Sequence, residues 1–193
     1  IFGQRPKNYL EDFGKALDPK IEVFWTGEEV CSRELSPGHL KRVGEQLNRK
    51  PFLWDNYPVN DGPRMSQFLH LRGFTGRPGA NAAHVSAHAI NPALQPVLSR
   101  IPALTLAESY ACGADYEYGA AFLRAATAVL GKDLALKVQG DLLTLNDAGL
   151  DRLGERVARL RARYDAFDHP GAHEIVAWLD GAYRIGADEM PTG

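Results

Sequence analysis

The chain has 193 residues, 45% hydrophobic and 24% charged, with 22 Lys and Arg against 24 Asp and Glu for a formal net charge of −2. This is the composition of a globular protein with one core or two small ones, not of a disordered segment. The balanced charge gives no electrostatic reason to expect nucleic acid or an anionic membrane as partner, and no apolar run reaches the roughly 18 residues of a membrane span.

The opening IFGQRPKNYL has neither an initiator Met nor the charged and apolar regions of a signal peptide, so the chain is expected to be a piece of something longer. NYLEDFGKAL reads as a short helix, and IEVFWTG, closed by Gly27, as a buried strand. SPGHLKRVGEQLNR offers Ser36 as N-cap, Pro37 at the first helical position, and Leu40, Val43 and Leu47 at helical spacing. PFLWDNY is the next strand. RMSQFLHLRGFTGRPGANAAH, with its glycines and proline, is expected to be an irregular connection holding a helical turn around Met65 to Leu69. VSAHAINP reads as a third strand ended by Asn91-Pro92, and ALQPVLSRIPALTLAESYA as helix broken at Pro96 and Pro102.

From about Tyr116 the text is helical: YEYGAAFLRAATAVL, LALKVQGDLLTL, AGLDRLGERVARLRARYDAF and GAHEIVAWLDGAYRI. The apolar spacing of three and four predicts antiparallel packing, with Leu123, Leu130, Leu142, Leu153, Leu160 and Trp178 largely buried. The basic stretch ERVARLRARY is then the solvated face of one such helix.

Strand, helix, strand, loop, strand is the order of parallel β/α units, which need crossover connections. A boundary is expected near Cys112 to Asp115, dividing the chain into 1–113 and 114–193. Cys31 and Cys112 are too few for a disulfide framework and are read as two small buried residues. HVSAH pairs His84 with His88 at i, i+4 but lacks the Glu of the metalloprotease motif, so no metal site is expected.

All three strands end in groups suited to holding a ligand: Thr26 after VFW, Asn56 and Asp61 after FLW, and Asn91 after HAI. In a parallel β/α barrel the site lies at the carboxyl ends of the strands. Asp61 could accept hydrogen bonds from two neighbouring hydroxyls, Asn56 and Asn91 could both donate and accept, and Trp54 offers a flat apolar wall. That is a sugar-type lining, although Asn and Asp after strands also serve as ordinary turn and cap residues.

VFWTGEEVCSREL, RKPFLWDNYPVND and GFTGR…INPALQPVLSRIPALTLAESY together resemble the later barrel strands of the family 84 glycoside hydrolases, the β-N-acetylglucosaminidases that include O-GlcNAcase and hyaluronidase-like bacterial proteins. The resemblance covers about residues 1 to 110, and the helical remainder is similar, more loosely, to the region after that family's barrel. It implies α/β followed by all-α: strands six to eight of a (β/α)8 barrel that needs about 250 residues in all, then a helical bundle. It implies that Thr26, Val30 and Trp54 line the pocket for the N-acetyl group. Asn56, Asp61 and Asn91 would bind sugar hydroxyls or brace neighbouring groups, with Asp61 taking the 4- and 6-hydroxyls. Gly62 departs from the aromatic residue often found there, which would leave the outer pocket more open.

The mechanism implied is substrate-assisted hydrolysis with retention, in which the 2-acetamido oxygen is the nucleophile and an adjacent Asp pair supplies orientation and acid–base chemistry. No Asp-Asp occurs in this sequence. Glu28-Glu29, Glu11-Asp12 and Asp188-Glu189 do not match that pair in position and read as solvated charge, so the catalytic pair is expected upstream of Ile1. The partners that follow are a terminal β-N-acetylglucosamine and the N-terminal half of the same barrel, with a homodimer through the helical region as a further candidate. No cofactor, nucleic acid or membrane is called for, and the compartment is open, with the cytoplasm as default. Two other readings stand beside this one: an N-acetylglucosamine-binding module without catalysis, and a helical interaction protein with a relict pocket.

Overall fold

The computed structural model describes residues 6–186, which cluster into two compact units. The first is built from residues up to Asn56, Thr75–Ile90 and Ser109–Asp115; the second from Tyr57–Phe74, Asn91–Glu108 and the chain from Tyr116 on.

The first unit holds α1 (Tyr9–Ala16), β1 (Phe24–Trp25), α2 (Pro37–Leu47), β2 (Phe52–Asp55) and β3 (Ala87–Ile90). The strands form a parallel sheet in the order β1-β2-β3, with Trp25 opposite Leu53 and Asp55 opposite Ile90. β1 is far shorter than the apolar run around it, because Gly27 at φ +104 turns the chain away directly after Thr26. A Cβ at Gly27 would lie 1.9 Å from Ser32 Oγ, so this turn admits only glycine. α2 starts as its sequence predicts, with Ser36 Oγ accepting from the His39 N–H at 3.3 Å and Pro37 at the first position. It ends at Asn48, in the left-handed region at φ 52.

Alternation along the strands divides the sheet's two faces. Leu53 packs with Leu35, Leu40, Val85 and Trp25 in a small core. Phe24, Phe52 and Trp54 meet edge to face on the other side, where Phe24 stays 58% and Trp54 38% exposed. Arg49 fastens the end of α1 and the turn after it: its guanidinium donates to the carbonyls of Gly14, in the last turn of the helix, where carbonyls lack an intrahelical partner, and of Leu17, Asp18 and Ile21 beyond it.

In the second unit α4 (Tyr118–Leu130) and α5 (Lys132–Asp147) are joined by Gly131 alone and pack together, as do α6 (Arg156–Asp165) and α7 (Pro170–Leu179). Their core includes Leu98, Phe122, Val138, Leu145, Ile175 and Trp178, and the Trp178 indole donates to the Ser66 carbonyl at 3.0 Å. Glu174 on α7 is buried. Burial pushes its carboxyl above the usual range, although the N–H groups of Val97 and Leu98 both donate to it at 2.9 Å.

Leu130, Leu153, Leu160 and Trp178 are buried as their spacing predicts, whereas Leu123 and Leu142 are half-buried. α3 (Arg100–Cys112) runs unbroken through Pro102, contrary to the sequence reading. Pro102 falls in the first turn, where a missing N–H costs nothing. The stretch read as one helix from Ala148 is divided instead: Gly154, at φ +53, separates a short turn at Leu150–Arg152 from α6. Cys31 and Cys112 are both exposed rather than buried, one in the loop after β1 and one at the end of α3. Among the described residues, no helix is long and apolar enough to cross a membrane.

Candidate functional site

The polar residues predicted at the strand ends fall in both units. In the first, Trp54 Nε1 donates to Asn56 Oδ1 at 3.0 Å, and Asn56 Nδ2 donates to the Val30 carbonyl at 2.7 Å. The loop carrying Thr26 and Val30 is thereby tied to the end of β2. Thr26 is half-buried and the Val30 side chain points outward, 67% exposed. Thus Val30, Trp54 and Asn56 form one hydrogen-bonded set, and Thr26 lies in the same loop as Val30.

In the second unit Asp61 is exposed, and among the described residues its carboxylate accepts no hydrogen bond. Its neighbour Asn60 is wholly buried and acts as a latch. It donates to the Phe68 carbonyl at 3.0 Å and to Gln95 Oε1 at 2.9 Å, and its Oδ1 accepts from the Leu94 N–H at 2.9 Å. Those bonds join the segment bearing Asp61 to the one that follows Asn91. Asn91 is half-buried and directly follows Ile90, the last residue of β3.

Sequence reasoning missed the residues beneath the strand ends. Asp55, between Trp54 and Asn56, points to the opposite side and is 3% exposed. Arg77 meets it with two prongs, Nε to Oδ2 at 2.7 Å and Nη2 to Oδ1 at 2.9 Å. His88, level with Leu53 and so on the same face as Asp55, places Nε2 3.2 Å from Asp55 Oδ2 and Nδ1 2.7 Å from the Tyr110 hydroxyl. The carboxylate only accepts, so His88 Nε2 donates to it, while Nδ1 meets the Tyr110 hydroxyl, a group that can donate or accept. Within this buried set the Arg77 charge is matched directly by the Asp55 carboxylate. Burial alone would raise the Asp55 carboxyl, but hydrogen bonds from His88 and Arg77, with the Arg77 charge, more than offset that and hold it below its usual value. Burial, with the Asp55 charge nearby, pushes the Tyr110 hydroxyl up to about 12. The available signal was three polar residues, Asp in FLWD, Arg in TGRP and His in AHAI, inside otherwise apolar or glycine-rich text.

The acidic neighbours lie apart from this set. Glu28 and Glu29 are exposed on the rim of an open depression of about 630 Å³ that also contacts Arg33, Glu34 and His39, and His39 Nε2 accepts from the Trp25 indole at 3.0 Å. Glu11 accepts from Gln46 at 3.0 Å, and Asp188-Glu189 lies outside the described residues. No group of three or more His, Cys, Asp or Glu among the described residues has an arrangement that could hold a metal ion.

Residues 2–143 match the family model for beta-N-acetylglucosaminidase. The chain belongs to that family, the family 84 glycoside hydrolases. Over 61 residues this family member is 39% identical to the protein O-GlcNAcases of Rattus norvegicus and of Mus musculus, a stretch that is 32% of this chain and 7% of each relative. Its structure resembles an O-GlcNAc hydrolase of Thermobaculum terrenum, solved as a point mutant, with a TM-score of 0.70 and 30% identity over 91% of this chain and 44% of that one. CpGH84B gives a TM-score of 0.63 over 93% of this chain and 38% of the other, a likeness of fold alone at 19% identity. The chain therefore spans less than half of the solved relatives it matches.

Proposed function

We propose that the chain supplies the sugar-holding part of a retaining β-N-acetylglucosaminidase that removes terminal β-linked N-acetylglucosamine. In this reading residues 1–113 are strands six to eight of a (β/α)8 catalytic barrel and 114–193 a helical bundle. The observation that carries it is the Val30–Trp54–Asn56 set at the carboxyl end of a parallel strand, in a chain of this family. The half-exposed aromatic face of Phe24 and Trp54 supports the same reading, since a parallel sheet buries both faces and the earlier strands of the barrel would cover this one.

Thr26, Val30 and Trp54 enclose the N-acetyl group, with the indole as its flat wall. Asn56 and Asn91 hold hydroxyls or neighbouring polar groups, and Asp61, free of other hydrogen bonds among the described residues, takes the 4- and 6-hydroxyls. The acetamido oxygen attacks the anomeric carbon as the protonated leaving oxygen departs, giving an oxazoline that water opens with net retention. An upstream Asp pair orients the acetamide and moves the proton. In this reading the present chain positions the sugar and contributes no general acid.

Kinetics on 4-nitrophenyl N-acetyl-β-glucosaminide test the proposal. The complete protein should turn the substrate over and the isolated chain should not. Robust turnover by the pure chain, abolished by Glu28→Gln or Glu29→Gln, would place the catalytic carboxylates here and overturn the assignment.

A further inference from the structure

The loop from Thr26 to Leu35 carries two of the three residues assigned to the N-acetyl pocket, yet it has no regular secondary structure and Glu28 to Cys31 are exposed. It is held from outside. Arg77 Nη2 donates to the Ser32 carbonyl at 2.6 Å and Nη1 to the Arg33 carbonyl at 2.5 Å. Close by, the Leu35 N–H donates to the Gly76 carbonyl at 2.9 Å and Asn81 Nδ2 to the Leu35 carbonyl at 2.8 Å. Gly76 has φ +69, and a Cβ there would sit 2.7 Å from the Arg33 oxygen, so the approach of the two backbones requires glycine.

The other edge of the Arg77 guanidinium is occupied by Asp55, the residue between Trp54 and Asn56. One planar group therefore spans from β2 to the loop. Its own backbone is fixed in turn, because Ser109 Oγ donates to the Arg77 carbonyl at 2.8 Å. Lys could not replace it, since an ammonium is a point donor without the fork that serves a carboxylate and two carbonyls together.

We propose that Arg77 is a positioning residue for the N-acetyl subsite, setting the separation between the Thr26 and Val30 side of the pocket and the Trp54 wall; this rests on the function proposed above. Arg77 touches no sugar in this arrangement. It acts through the loop, with Asp55 as its anchor and His88, itself held by Tyr110, fixing Asp55. Because the acetamido group is the nucleophile in that mechanism, a wall displaced by about 1 Å lowers the rate of the chemical step on the order of 100-fold.

The test uses Arg77→Lys in the complete protein, assayed on the 4-nitrophenyl N-acetyl-β-glucosaminide and its N-propanoyl analogue, with hydrogen exchange on the same protein. The proposal expects kcat on the N-acetyl substrate to fall about 10- to 100-fold with KM changed far less. It also expects the preference for acetyl over propanoyl to shrink, and the Gly27 to Leu35 amides to exchange faster while Phe52 to Asp55 keep their protection. An unchanged acyl preference, with activity lost in proportion to the folded fraction, would overturn it. So would faster exchange spread evenly through the sheet. If Arg77→Lys does not fold, Asn81→Ser, which removes the bond to the Leu35 carbonyl and shortens a buried side chain, decides on the same readouts: the same shifts, smaller, support the loop's positioning role, and the absence of any shift overturns it. A wild-type protein inactive on both sugars would sink the proposed function instead and leave the loop-exchange comparison to decide the clamp.

Discussion

Asp55 and Arg77 form a two-pronged ion pair, at 2.7 and 2.9 Å, whose side chains are only 3% and 5% exposed. Replacing one member leaves the other charged and buried. Asp55→Asn should therefore cost about 3–5 kcal/mol, read from urea unfolding. The pH dependence has a definite sign. The Asp55 carboxyl is held below its usual value in the fold, so its contribution is fully present above the range where a free Asp titrates, near pH 3.9, and is lost as pH falls through the lower folded value. Acid unfolding should accordingly be less steep in Asp55→Asn than in wild type. Equal steepness would count against a native-state charge on Asp55.

Asp61 gives a contrasting expectation, because its carboxylate is exposed and, among the described residues, accepts no hydrogen bond. Asp61→Ala in the complete protein should leave the melting temperature unchanged while kcat/KM falls roughly ten- to several-thousand-fold, as for loss of one or two charge-assisted bonds. A lower melting temperature with kcat/KM near wild type would assign Asp61 to the local turn instead.

Trp54 is expected to act on rate as well as affinity. Trp54→Ala removes the wall proposed for the N-acetyl group and the indole N–H that donates to Asn56, so kcat should fall together with a rise in KM. Trp54→Phe keeps an aromatic face while losing the bond and part of the ring area, and should retain more activity. Identical kinetics for the two variants would show that the hydrogen bond to Asn56, not the wall, is what matters.

The helical unit has its own anchor. Trp178 is 1% exposed, and its indole satisfies the Ser66 carbonyl. Trp178→Ala should cost about 3–5 kcal/mol in chemical denaturation. Trp178→Phe should lose less, chiefly the hydrogen bond and the space of the larger ring. A loss under about 1 kcal/mol for the Ala variant would mean that this core collapses around the gap.

The element order was legible because each signal is local. Ser36 and Pro37 start α2 and Gly27 stops β1, since caps and left-handed turns are properties of a few adjacent residues. The errors came from the same local reading. Pro102 looks like a breaker unless it is known to stand in a first turn, and Gly154 looks tolerable inside a helix until its positive φ is seen.

The sequence by itself determined the family, the succession of strands and helices, and the polar residues that follow the strands, because motif order and short-range spacing carry that information. Only the tertiary structure decided what stands beneath them. Asp55 finds Arg77 22 positions away and His88 33 positions away, and His88 finds Tyr110 after 22 more. No periodicity of strand or helix encodes such pairings. They arise because a buried carboxylate must be met by donors, and which donors reach it depends on the register of β2 against β3 and on the path of the loop through Arg77.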